Sequence, residues 1–230
     1  MDAAGNLDVN RNLTAGTTLG LDSATGDVTV GQVGGMAAAL TSGGNLSVSA
    51  LNDINLQSTN TSGSAIDLEA TNGSVLASGT NQAFTNVDIT AGQDAVLSGV
   101  TESTNAMMLG NVTVNADNNI NVEEGIAASN ITLNAMAGDV SVNTAWTSPG
   151  LDASGLLDID AGNALVLDQK INGQNDINID AGAGGVVVNA EISTIGNLAI
   201  TTTAGGAIDV NEIAMGTTPE NTISAGGSSP

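Results

Sequence analysis

Aspartate is the residue whose placement in this 230-residue chain admits chemistry. The sequence has no His, Cys or Tyr, which rules out a Ser/His/Asp triad, a zinc centre and a histidine general base. Carboxylates remain. Asp158 and Asp160 resemble the acid pairs of β-helical glycosidases, which hold two carboxyls either close together or ~6.5 to 9.5 Å apart around a sugar. Sugar sites also present aromatic platforms and basic side chains, and here only Trp146, Phe84, Arg11 and Lys170 supply them. The expectation is that the chain is not an enzyme, with a polysaccharide-degrading β-helix as the weakest reading.

Carboxylates can instead hold a cation. In the repeat described below, Asp67 stacks on Asp88 and Asp160 on Asp180, while Asp158 falls over Asn178. Unit charges one coil apart repel by about 1 kcal/mol in bulk water, and calcium prefers such oxygen ligands. The expectation is that no cofactor is required and that calcium binds weakly at Asp67, Asp88, Asp160 and Asp180. Gly182-Ala183-Gly184-Gly185 and Gly205-Gly206 lack the Lys-Ser/Thr of a phosphate loop, so they read as corner glycines.

Two basic residues against 24 acidic ones give a net charge of -22. Such a surface repels phosphate polymers and anionic membranes, so no nucleic-acid partner is expected. The longest apolar run, Met36-Ala37-Ala38-Ala39-Leu40, falls far short of the ~20 residues that span a bilayer, so no membrane insertion is expected. Without cysteine no disulfide forms, and redox chemistry does not fix a compartment. No basic-then-apolar leader opens the chain, and any export signal is expected to have been removed or to lie outside these residues.

The elements that must position the aspartates follow from an internal repeat. Its unit is two apolar residues at i and i+2, a small polar corner, and a second such pair. Leu46/Val48 with Ile54/Leu56 and Leu157/Ile159 with Leu165/Leu167 are examples. Period-two alternation marks short strands with one buried face. The leading residues are Leu19, Leu46, Ile66, Val87, Val112, Ile131, Leu157, Ile177 and Leu198, separated by 27, 20, 21, 25, 19, 26, 20 and 21 residues. Leu7/Val9 opens the series as a second pair whose first pair is missing.

A lone apolar residue, at Val33, Val100, Ile126, Ile171, Ile192 and Ile213, reads as a third side. Three sides per turn predict an all-β, right-handed parallel β-helix (β-solenoid) of about nine triangular coils of ~20 residues. At ~4.8 Å per coil the rod is roughly 43 Å long. Asn45, Asn86, Asn111, Asn130, Asp176 and Asn197 precede first pairs and suit turns. Asn115 and Asn134 are positioned for a stacked amide ladder. Thr90-Ala91-Gly92 and Asp180-Ala181-Gly182 read as tight corners, and Met36 to Leu40 as the only candidate helical turn. Residues 1–213 are expected to form the solenoid and 214–230 a polar Gly/Ser/Thr-rich tail.

Three steps carry insertions, after Val33, Val100 and Val142, expected near one edge of the rod. They carry Met36, Leu40, Met107, Met108, Leu109, Trp146 and Leu151, an apolar set read as a partner contact or, equally, as side chains folded back onto the solenoid.

Gly44-Asn45-Leu46-Ser47-Val48, Asn52-Asp53-Ile54-Asn55-Leu56 and Asn175-Asp176-Ile177-Asn178-Ile179-Asp180-Ala181-Gly182 resemble the repeats of filamentous-haemagglutinin-type exoproteins, from about Gly5 to Ile213. The resemblance implies a bacterial, extracellular or cell-surface β-helical shaft that carries adhesive or toxic modules, usually secreted through an outer-membrane partner. The family's amino-terminal secretion domain and a toxin tip are not recognisable here. The expected function is a structural rod or fibre segment in adhesion, biofilm cohesion or display. Its partner is itself, by end-to-end stacking or by continuation in a larger chain, and a host or neighbouring-cell surface is a further expected target. The alternative is a glycan- or receptor-binding adhesin module using the insertion ridge.

Overall fold

Leu46-Ser47-Val48-Ser49-Ala50 alternates with period two, which sends Leu46, Val48 and Ala50 to one side of a strand and the serines to the other. In the computed structural model of the chain those three are at most 3% exposed. The structure describes residues 1–33, 36–104, 110–143, 150–215 and 221–226. Among them there is no helix. Thirty short strands stack as a β-solenoid of about nine turns with ~21 residues per turn.

Each coil has three faces. Leu46–Ala50, Ile54–Leu56 and Ser58–Ser62 are one example, followed by Ile66–Ala70, Val75–Ala77 and Asn81–Ala83. The strands lie parallel on their counterparts one coil away, with register shifts only near the carboxyl end, between Val188 and Glu191 and between Thr201 and Ala204: Leu46 sits on Leu19 and Ile66 on Leu46, Ile54 on Val28, Asn60 on Leu40. The exception is a small antiparallel hairpin pairing Gln32–Val33 with the start of Met36–Ser42. The segment from Met36 to Leu40 is therefore strand, not a helical turn. Alanine runs have little tendency to override a sheet already templated on both edges, by Leu13–Ala15 and Ser58–Ser62.

The interior is one continuous aliphatic core. On the first face it is three residues deep, because Ala50, Ala70, Ala91, Ala116, Ala135, Ala161 and Ala181 point inward, all at most 4% exposed. Ala91 and Ala181 thus end strands and fill the core, where the sequence suggested turn residues. A methyl at this position leaves room for the chain to bend into the second face.

The corners are held by side chains accepting backbone N–H groups one coil further on. Before the second face, Asn6 accepts from Asp27, Asp27 from Asp53, Asp53 from Ser74, Asp94 from Asn119, Asn119 from Asp139 and Asp139 from Ala164, at 2.8 to 3.3 Å. Before the first face, Asn86 accepts from Asn111, Asn130 from Leu156 and Asp176 from Asn197. The side-chain amides of Asn115 and Asn134 also bond, at 3.4 Å. These bonds satisfy corner donors that no strand can reach.

Some corners are closed by glycine. A Cβ on Gly79 would sit 1.8 Å from the Ser58 carbonyl oxygen, whereas one on Gly16 meets nothing within 4 Å. Gly79→Ala is expected to cost about 1 to 3 kcal/mol through forced displacement of the coil below. Gly16→Ala should be neutral or slightly stabilising. Urea midpoints of the two variants check this, and equal midpoints would contradict the corner packing.

Four sequence expectations change in detail. The third-face inward position is Leu40, not Val33, and Thr101, not Val100; Ile126, Ile171 and Ile192 hold it as expected. Two insertions leave at the corner between second and third faces, after Val28–Val30 and after Val140–Val142, but the middle one follows the third-face strand Thr101–Ser103. The three do not share one edge. Asp2–Ala3 pairs with Asp22–Ser23, so the first coil keeps a short first-face strand. Beyond Ile213, Asn221–Gly226 pairs on Leu198–Ala204, so solenoid pairing extends into the segment expected as a tail.

Candidate functional site

The outward side of the first face is the broadest surface the repeat builds. Its two files contain short side chains apart from Glu69: Ser47, Asp67, Asp88, Thr113, Thr132 and Asp158 in one, Ser49, Glu69, Thr90, Asn115, Asn134, Asp160 and Asp180 in the other. Short residues suit this surface because each faces its own counterpart about 4.8 Å away.

The counted stacks are in register: Asp67 on Asp88, Asp160 on Asp180 and Asp158 on Asn178. Burial against neighbouring coils raises the Asp88 pKa above the ordinary carboxylate value; the hydroxyl of Thr113 opposes this and the charge of Asp67 adds to it. Burial raises Asp158 likewise, with help from Asp160. Asp180 is raised by burial, then by Asp160 and Asp158. Asp160 and Asp180 line a shallow groove with Thr201 and Thr203 where the first face bends into the second. A second groove lies on the same corner around Asp22, Ser49, Glu69 and Thr71.

This surface can accept hydrogen bonds and repel anions. Among the described residues no three acidic side chains converge as a metal-binding group. A cation on the first face would therefore meet stacked pairs rather than an enclosed cage.

The apolar contact set does not assemble as expected. Leu40 and Leu151 are fully buried third-face core residues, because each sits at an inward position of a strand paired on both edges. Neither can meet a partner. Met36 lies in the strand Met36–Ser42, and its side chain lies outside what is described. Met107, Met108, Leu109 and Trp146 lie outside the described residues. Among the described residues the exposed large apolar side chains are instead Met1, Phe84, Met136, Leu156, Ile195 and Ile223, with Phe84 and Ile195 each three positions before a first pair.

Sequence reading also missed a buried polar file. Ser58, Asn60, Asn81 and Thr101 are fully buried on the third face. The available signal was position: Asn60 and Asn81 each stand six residues before a first pair, as Leu40 and Ile171 do.

No protein-family model, curated protein or solved structure matches the chain.

Proposed function

We propose that the chain is a structural shaft segment of an extracellular bacterial filament of the filamentous-haemagglutinin type, serving adhesion, cohesion or display. The observation that carries this reading is the single core running from coil to coil, with each face stacking parallel on itself. A stack of that kind adds length without adding a new fold. The repeat strings support the family assignment, and the anionic, short-chained surface fits an exposed polymer.

The partner in this reading is another coil, from a second copy or from the same polypeptide. Among the described residues, Asp2–Ala3, Leu7–Val9 and Leu13–Ala15 each pair along one edge only, as does Asn221–Gly226. Unpaired strand edges template further strands. Negative-stain images and sedimentation of the 230-residue chain at several concentrations test this. Filaments of constant width that lengthen with concentration are the expected result. Particles of one chain's mass at every concentration would remove self-stacking, and selective capture on a glycan array would favour the adhesin alternative.

A further inference from the structure

Aliphatic files cannot tell one coil from another. On the first two faces a coil displaced by one step still places Leu, Ile, Val or Ala on one another, and spacings of 20 and 21 residues recur along the chain. Repeat arrays nucleate at more than one place and then join. Two correctly folded blocks can therefore meet with a coil looped out between them, and the apolar core penalises that junction only through lost area.

The third face differs. Its inward file is aliphatic at Leu13 and Leu40 and again from Ile126 onward, but three consecutive coils carry Asn60, Asn81 and Thr101. All are fully buried and each finds its partner in the adjacent coil. Ser58 donates its hydroxyl to Asn60 Oδ1 at 2.7 Å, Asn60 Nδ2 donates to Asn81 Oδ1 at 2.8 Å, and Asn81 Nδ2 donates to Gly79 O at 3.2 Å and Thr101 Oγ1 at 3.4 Å. A slip that loops out the Asn60 coil or the Thr101 coil sets the buried Asn81 amide against Leu40 or Ile126 and removes one of those partners, which costs far more than exchanging one aliphatic for another.

We propose that Asn60, Asn81 and Thr101 form a register lock, which selects the correct junction of the coils during folding and adds little to the stability of the finished rod. Buried polar groups can often be replaced by well-packed apolar ones without loss of stability. Their use here is discrimination: only this coil order satisfies all three.

The chain has no cysteine, so disulfides can report register. Thr41, Thr61 and Gln82 are outward third-face residues aligned on three successive coils, next to Leu40, Asn60 and Asn81. Adjacent strands lie ~4.8 Å apart, within the 4.4 to 6.8 Å that a disulfide bridges, whereas two coils span ~9.6 Å, beyond its reach. With Thr61→Cys and Gln82→Cys, the native sequence should bridge after refolding. With Thr41→Cys and Gln82→Cys it should not, because that bridge needs the Asn60 coil looped out and Asn81 set against Leu40. Adding Ser58→Ala, Asn60→Leu, Asn81→Leu and Thr101→Val should leave the urea midpoint unchanged or higher. The same changes should raise the intrachain Thr41–Gln82 bridge after dilute refolding at least tenfold. A milder background, Ser58→Ala with Asn60→Leu, should give an intermediate yield. Unchanged Thr41–Gln82 bridging in both backgrounds overturns the lock. Failure of both backgrounds to fold overturns it too, since the file would then be a stability element.

Discussion

A Leu133→Asp variant is expected to break the rod into two parts. Leu133 is fully buried on the first face, between Val114 of one neighbouring coil and Ile159 of the next. A carboxylate there has no partner and no water, a loss of several kcal/mol even if it protonates. In a stacked array stability is a sum of coil terms and nearest-neighbour terms, so the damage falls on both junctions of one coil. Peptide-resolved hydrogen exchange should show lost protection spreading from Ile131–Ala135 into Val112–Ala116 and Leu157–Ala161, with distant coils less affected. Leu13→Asp, at a half-buried position of an end coil, should fray its own coil only. Equal effects at the two positions would show that the chain unfolds as one globular unit.

The second large effect is on pH. Asp88, Asp158 and Asp180 have raised pKa values in the fold, so the native state binds their protons more tightly than the unfolded chain does. Their protonation stabilises the fold. That contribution is fully present below the ordinary carboxylate value of 3.8 and is lost as pH rises through the folded values. Self-repulsion at a net charge of -22 acts in the same direction. The melting temperature should therefore rise as pH falls from 7 toward about 4. Asp88→Asn and Asp158→Asn should raise it at pH 7 and flatten the profile. Calcium tests the other route to the same relief: after chelation, millimolar calcium at pH 7 should raise the melting temperature modestly, and less in Asp160→Asn with Asp180→Asn. A melting temperature that drops steadily on acidification would refute the account of the stacked acids, and no calcium response would leave burial as the cause.

Period-two pairs made most of the fold legible. Leu46/Val48 and Ile54/Leu56 announce strands because one side of each must leave water, and their constant spacing fixes the coil. The stacked aspartates were legible for the same reason, since register follows from spacing. The third face was harder. Its strands in the middle of the chain bury Asn60, Asn81 and Thr101, and a search for apolar residues passes over amides whose partners lie one coil away in space and 20 or 21 residues away in sequence. For that reason the apolar pattern points to Val100 where Thr101 holds the position. Leu40 and Leu151 read as surface residues because they directly follow insertions. Length alone does not say where an insertion stops and the next strand begins, whereas pairing with Leu13 and Ile126 does.

In-register stacking also sets how the molecule would yield under tension. Because the chain completes one coil before beginning the next, a pull along the axis loads the terminal coil first and peels coils away in succession. Each released turn of ~21 residues would extend to roughly 70 Å of free chain, while the rod itself shortens by only ~4.8 Å. A molecule of this build lengthens in steps of nearly equal size and keeps the rest of its shaft intact. It would absorb work in small portions where a globular unit gives way all at once.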